Sequence, residues 1–195
     1  MFIEHLLFFE PTLFRIFGKI QIAMMEEQVI LVNEKDEKIG LMSKQEAHEK
    51  ALLHRAFSIF VINDKNELML QQRALHKYHS PGLWTNTCCS HQRDGESSLE
   101  AGRRRLQEEM GFVTPLTETI SFIYKAPFDN GLTEYEFDHV LVGKYNETPI
   151  INPEEVASWK WMPLESVKED IQHSPDKYTV WFKIIFDKFY QHITV

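Results

Sequence analysis

The chain has 195 residues, 43% hydrophobic and 26% charged, a composition that fits one ordinary globular domain with terminal additions. A chain of this size buries about 70% of its unfolded surface, which excludes disorder, collagen-like repeats and a disulfide-stapled scaffold. Its 21 basic and 29 acidic residues sum to −8, so there is no general cationic face for nucleic acid, and any phosphate chemistry needs local cations or metal ions.

In chain order, residues 1–24 differ from the rest. The apolar run around Leu6–Phe9 has Glu4 before it and Pro11 after it, lacks a small-residue cleavage site, and falls short of the ~20 residues that span a bilayer. We expect an N-terminal extension outside the core, with Met24 or Met25 as working initiator, rather than a secretory signal or a surface anchor. The domain proper is expected over residues 25–195.

Val29–Asn33 reads as a short strand and Glu34–Lys38 as the turn after it. His54–Asn63 and Glu67–Gln72 read as two strands of a β-hairpin joined through Asn63-Asp64-Lys65-Asn66. Ser80-Pro81-Gly82 breaks regular structure and delivers the polar, reactive segment Trp84–His91. Ser97 or Ser98 caps a helix to Met110, which Gly111 stops in the left-handed conformation. Strands follow at Thr119–Ala126 and Glu136–Tyr145 around the turn Asp129-Asn130-Gly131. Pro163 suits the first turn of a helix through Gln172, and Val180–Tyr190 reads as a closing helix. Together these give an α+β fold, a mixed β-sheet core flanked by helices in an α/β/α arrangement.

Three constellations carry chemistry. Glu108 and Glu109 end the helix before Gly111, one turn after Arg104 and Arg105. Paired carboxylates there can hold a hard divalent ion bridging to a diphosphate, although taken alone the pattern reads as a solvated, ion-paired face. His48, His54 and His91, with Glu134 and Glu136 on one side of a strand, suit a divalent ion of intermediate hardness such as Mn²⁺ or Zn²⁺. His76, His79, His139, His173 and His192 read as structural or exposed. Cys89 stands two residues before His91, where nearby positive charge favours thiolate, while Cys88 alternates to the core. Adjacent cysteines do not bridge each other, which fits a reducing, cytoplasmic location.

Ser90, Glu96, Arg104, Arg105, Leu106, Glu108, Glu109, Gly111 and Phe112 resemble the Nudix box in register, with Ser90 in place of its opening Gly and Arg105 in place of a Glu. Loss of that carboxylate argues against hydrolysis and leaves one diphosphate-bridging ion on Glu109. More widely, Leu53–Ser58, Gln72–Leu75, Pro81–His91, the altered box, Glu134 and Glu136, and Trp181–Lys183 resemble the type I isopentenyl diphosphate isomerases, metal-dependent proteins of the Nudix fold.

The resemblance implies a pair of acid–base groups, Cys89 and Glu136, that shift a double bond reversibly between isopentenyl and dimethylallyl diphosphate through a tertiary carbocation. It implies metal ligation by His48, His54, His91, Glu134 and Glu136, and a Mg²⁺ near Glu109 held with the substrate diphosphate; the His/Glu ion is Mn²⁺, Zn²⁺ or Mg²⁺. Lys44, Arg73, Lys77, Ser90 and Arg105 fall at diphosphate-contacting positions, and Tyr124 and Trp181 at active-site aromatics. His48 is the least secure ligand. The expected partner is a small prenyl diphosphate, with no nucleic acid and no transmembrane segment, in a monomer or weak dimer. The competing readings are a Nudix pyrophosphohydrolase and a non-catalytic prenyl-phosphate binding protein.

Overall fold

Two apolar runs set the middle of the fold. β3 (His54–Ile62) and β8 (Thr133–Lys144) lie side by side in parallel at the centre of a nine-stranded mixed sheet. Strands covered on both faces read as near-continuous apolar runs, and β3 does so. Phe57, Ile59 and Val61 enter one core, with Leu106 and Met110 of a helix over Ser98–Met110. Phe60 and Ile62 enter the other, with Phe182 and Ile185 of a helix over Val180–Lys188. The α/β/α layering thus follows from side-chain alternation along the strand. The computed structural model describes residues 27–193, so the extension expected over 1–24 lies outside the described residues.

The other strands are β1 (Gln28–Val32), β2 (Lys38–Ser43), β4 (Glu67–Arg73), β5 (Trp84–Thr85), β6 (Cys88–Ser90), β7 (Leu116–Pro127) and β9 (Val156–Pro163). The helices are α1 (Lys44–Glu49), α2 (Ser98–Met110), α3 (Leu164–His173), α4 (Val180–Lys188) and α5 (Tyr190–Ile193). One edge of β3 pairs with β8; along the other, β1, β6 and β4 take successive stretches. β7 extends the sheet beyond β8, and β9 runs antiparallel along β4.

Local chemistry explains most boundaries. Ser97 and Glu100 form a reciprocal capping box at the start of α2, and Gly111 closes it with φ +74°. The turn of the first hairpin is tied by the Asn63 side chain, which accepts from the backbone N–H of Lys65 and of Glu67. The expected hairpin is only partly realised: β3 and β4 pair at Ile62↔Leu68 and then separate, because β3 turns to β6 and β4 to β9. Pro163 ends β9 and caps α3 from outside rather than lying in its first turn. Six elements were not anticipated, namely β2, α1, the short strands β5 and β6 within the polar segment, β9 and α5. The Ser43 side chain caps α1 by accepting from Glu46 N–H, a Ser-x-x-Glu signature, and β9 carries the alternating Trp159 and Trp161.

Candidate active site

Strand register assembles the site. The parallel pairing sets His54 beside Glu136, and β7 sets Tyr124 on the other side of the same glutamate. Glu134, Glu136 and Asp138 alternate onto the β8 face that continues into Val140 and Val142, the face that α4 covers. Across β3, β6 places Cys89 against Ser58. The buried segment before β6 fixes the cysteine pair: Asn86 Nδ2 donates to Ile59 O at 3.2 Å and to Cys88 O at 2.7 Å, while Thr87 Oγ1 donates to Met69 O at 2.7 Å. Cys88 is thereby sealed in the core, and Cys89 reaches a cavity of about 190 Å³. Sites for drug-sized ligands run to roughly 300–1,000 Å³, so this one suits a small substrate.

Glu134, Glu136 and Cys89 share that cavity with Tyr124, Trp181 and His91. Tyr124 donates its hydroxyl proton to Glu136 Oε2 at 2.5 Å, and His91 Nε2 lies 3.1 Å from Glu136 Oε1. His48, on α1, meets Glu134 Oε2 at 2.9 Å, and His54 Nε2 stands 3.7 Å from Glu136 Oε1. One donor atom from each of His48, His54, His91 and Glu136 falls within 4.8 Å of the others, as does one from each of His48, His79 and Glu134. Four of the five sequence-derived ligands, His48 included, thus fall in one set, and Glu134 meets it through His48. The His79 ring is buried beside Glu134, with Nε2 3.4 Å from Oε1, so of the two readings given to it, structural or exposed, exposure does not hold. No spacing rule singles it out, because its loop is irregular; the sequence signal is only its place between Lys77 and the Pro81-Gly82 turn.

The donor set fits a divalent cation. His54 Nδ1 is occupied by Leu52 O at 2.8 Å, so its Nε2 presents a lone pair, and that atom is buried with no hydrogen-bond partner. Burial together with the charge of Glu136 pushes the Glu134 carboxyl up, while Glu136, against the same burial, is held well below the usual range by His54 and His91. Two buried carboxylates that oppose each other's ionisation, surrounded by imidazoles, are the environment a cation resolves.

The same cavity also carries cationic side chains. Lys44, Arg73, Lys77 and Arg105 line it, with Ser90 and Glu109. Arg105 donates to Glu109 Oε1 at 2.6 Å and to Glu108 Oε2 at 2.7 Å, and lies 3.3 Å from Glu155. Glu109 is buried, so its end of α2 is no solvated ion-paired face; Glu108, half-buried and paired with both Arg104 and Arg105, keeps that character. Arg73 reaches over the Trp181 ring, 5.4 Å from its centroid, and donates to His79 O at 3.2 Å. Glu155, absent from the sequence-derived set, joins this group by gripping Lys77 and accepting at its carbonyl from Ala74 N–H at 3.0 Å. Burial pushes the Cys89 thiol up to about 12, against the pull of Arg73. The cavity thus combines cationic side chains, the Trp181 indole, and Cys89 and Glu136 from strands on either side of β3.

A family model described as the NUDIX domain matches residues 52–182. A Photorhabdus laumondii protein named isopentenyl-diphosphate Delta-isomerase 2 is 52% identical over 163 residues, covering 84% of this chain and 92% of its own. An Aromatoleum aromaticum protein of the same name is 49% identical over 164 residues, covering 84% of this chain and 87% of its own. Among solved structures, a Deinococcus radiodurans protein, DR0079, matches with a TM-score of 0.69 at 22% identity, over 84% of this chain and 99% of that one, which is a likeness of fold.

Proposed function

Because the chain belongs to the isopentenyl-diphosphate Delta-isomerase family, built on the NUDIX domain, we propose that Cys89 and Glu136 are the two acid–base groups of its double-bond transposition. The enzyme interconverts isopentenyl and dimethylallyl diphosphate, and the reaction is balanced in protons. One proton adds to the terminal alkene carbon and generates a tertiary carbocation; another leaves the neighbouring methylene, and its C–H electron pair becomes the new double bond. Two exchanging groups are needed, and because the reaction is reversible each donates in one direction and accepts in the other. The observation that carries this reading is that Cys89 and Glu136, on strands flanking β3, border one small cavity with Trp181.

Each neighbouring side chain takes a part that its chemistry suits. Tyr124 holds Glu136 by its hydroxyl and passes protons with it. The Trp181 indole faces the cation with an electron-rich surface, worth about 2 kcal/mol when desolvated, and offers no lone pair to trap it. Water would capture the cation as an alcohol, and α4 closes the apolar end against it. Lys44, Arg73, Lys77, Ser90 and Arg105 bind the diphosphate, which offsets the overall negative charge of the chain. His48, His54, His91, Glu134 and Glu136 would hold Mn²⁺, Zn²⁺ or Mg²⁺, and Glu109 a Mg²⁺ together with the diphosphate; when bound, these ions would supply positive charge that favours ionised carboxylates and fixes the anionic tail. No helix among the described residues is long and apolar enough to cross a membrane, and we place the protein in the cytoplasm as a monomer or weak dimer that does not bind nucleic acid.

The test is isomerisation followed by proton NMR in deuterated water. The wild-type protein incorporates deuterium and forms the dimethylallyl isomer, and Cys89→Ala is expected to lose roughly 10²–10⁴-fold in rate, the usual contribution of a general acid–base group. Isomerase activity undiminished in Cys89→Ala sinks the assignment. Phosphate release from nucleoside diphosphates would instead favour hydrolysis, against the substitution at Arg105.

A further inference from the structure

His79 stands to Glu134 as His91 stands to Glu136. His91 Nε2 lies 3.1 Å from Glu136 Oε1, and His79 Nε2 lies 3.4 Å from Glu134 Oε1. The second nitrogen of each ring, Nδ1, is buried without a hydrogen-bond partner, and the two residues are 8% and 7% exposed. His48 links these two pairs. Its Nδ1 lies 2.5 Å from Lys44 O, which fixes the tautomer and leaves one lone pair on Nε2. That residue lies within ligand distance of His54, His91 and Glu136, and equally of His79 and Glu134. A single lone pair serves a single ion, and His48 is the residue common to both sets.

We propose that His79 is a further imidazole ligand of that cation, entering beside Glu134 and raising the imidazole count from three to four. The inference rests on the metal-dependent reading above and extends its ligand set. The loop holds the ring for this role: it stacks on Phe128 at 5.4 Å, meets Trp181 edge-on at 6.0 Å, and its backbone carbonyl takes the Arg73 guanidinium. Through that carbonyl the ligand belongs to the same loop as Lys77, so ion binding and the cationic anchor become mechanically connected. Four nitrogens and two carboxylates also move the preference of the site away from Mg²⁺ and toward borderline ions such as Mn²⁺, Co²⁺ or Zn²⁺.

The experiment uses the full chain loaded with Mn²⁺ alone. Pulsed electron paramagnetic resonance counts the coupled imidazole nitrogens, and chelator competition gives Zn²⁺ affinity. Wild type is expected to show four imidazoles, and His79→Phe three, with roughly tenfold or greater loss of affinity. His79→Gln, which keeps a hydrogen-bonding group but no imidazole, is expected to give the same count of three and guards against loss of stacking in the first variant. His91→Phe serves as the internal standard and loses one nitrogen. An unchanged count in both His79 variants, beside a loss in His91→Phe, overturns the inference and leaves the proposed function standing, even if affinity falls. An unchanged count in His91→Phe as well puts the ion elsewhere, and the metal assignment fails together with the inference.

Discussion

Gly111→Ala probes how the segment after β8 is fastened to the end of α2. Gly111 has φ +74°, and a Cβ there would sit 2.9 Å from Ile150 Cβ and still closer to Ile150 O, well inside van der Waals contact. The left-handed conformation alone costs a non-glycine residue about 1–2 kcal/mol. The clash is with backbone and cannot be relieved by a rotamer, so the segment must move. Movement endangers the hydrogen bonds Ile150 N–H to Met110 O and Asn152 N–H to Glu109 O, both 2.9 Å, each worth about 0.5–1.5 kcal/mol. The sum is about 2–5 kcal/mol, a fall in Tm of about 4–20 °C for a domain of this size. Gly95→Ala is the control: its φ is +86°, but no atom lies within 4 Å of the added Cβ, so only the conformational cost applies. Calorimetry of both variants isolates the clash. The same segment carries Glu155, which grips Lys77 and approaches Arg105, so KM for isopentenyl diphosphate is expected to rise in Gly111→Ala and not in Gly95→Ala. Melting temperatures for the two variants within about 2 °C of each other would refute the reasoning.

Two further outcomes follow from the same structure. Removing divalent ions with a chelator and restoring Mn²⁺ at a hundred times its Kd is expected to stabilise the fold by about 2.7 kcal/mol, read by calorimetry as a rise of about 5–11 °C; no rise would rule out a site confined to the folded state. Hydrogen bonds from Arg104, aided by the Arg93 N–H, hold the Glu96 carboxyl below its ordinary value. A depressed carboxylate contributes stability above its unfolded pKa and loses it as pH falls through the folded one. Glu96→Gln is therefore expected to cost under ~1 kcal/mol at neutral pH, a deficit that closes as the solution is acidified below 4.5. A deficit independent of pH in denaturant titrations would contradict that account.

Much of the fold was legible because its signals are local. The capping residues of α2, the Asn63 turn and the two-faced apolar run of β3 each declare an element within a few positions. The elements that escaped are short or owe their existence to a distant partner. β9 exists because β4 needs a second partner, and α1 is only six residues long. The site divides in the same way. Glu109, His91 and Cys89 lie in motifs, and the alternation of Glu134 and Glu136 is a strand property, so these could be read from sequence. His79 and Glu155 sit in irregular segments whose positions depend on contacts made far along the chain, with Glu134 in one case and Lys77 and Arg105 in the other.

The juxtaposition of His54 with Glu136, like that of His48 with Glu134 across 86 positions of sequence, has a bearing on how the protein comes into being. A slip of one residue between β3 and β8 would turn every glutamate to the opposite side. Metal uptake during refolding would therefore act as a clock for the central alignment, arriving only after these two distant strands have found their correct offset.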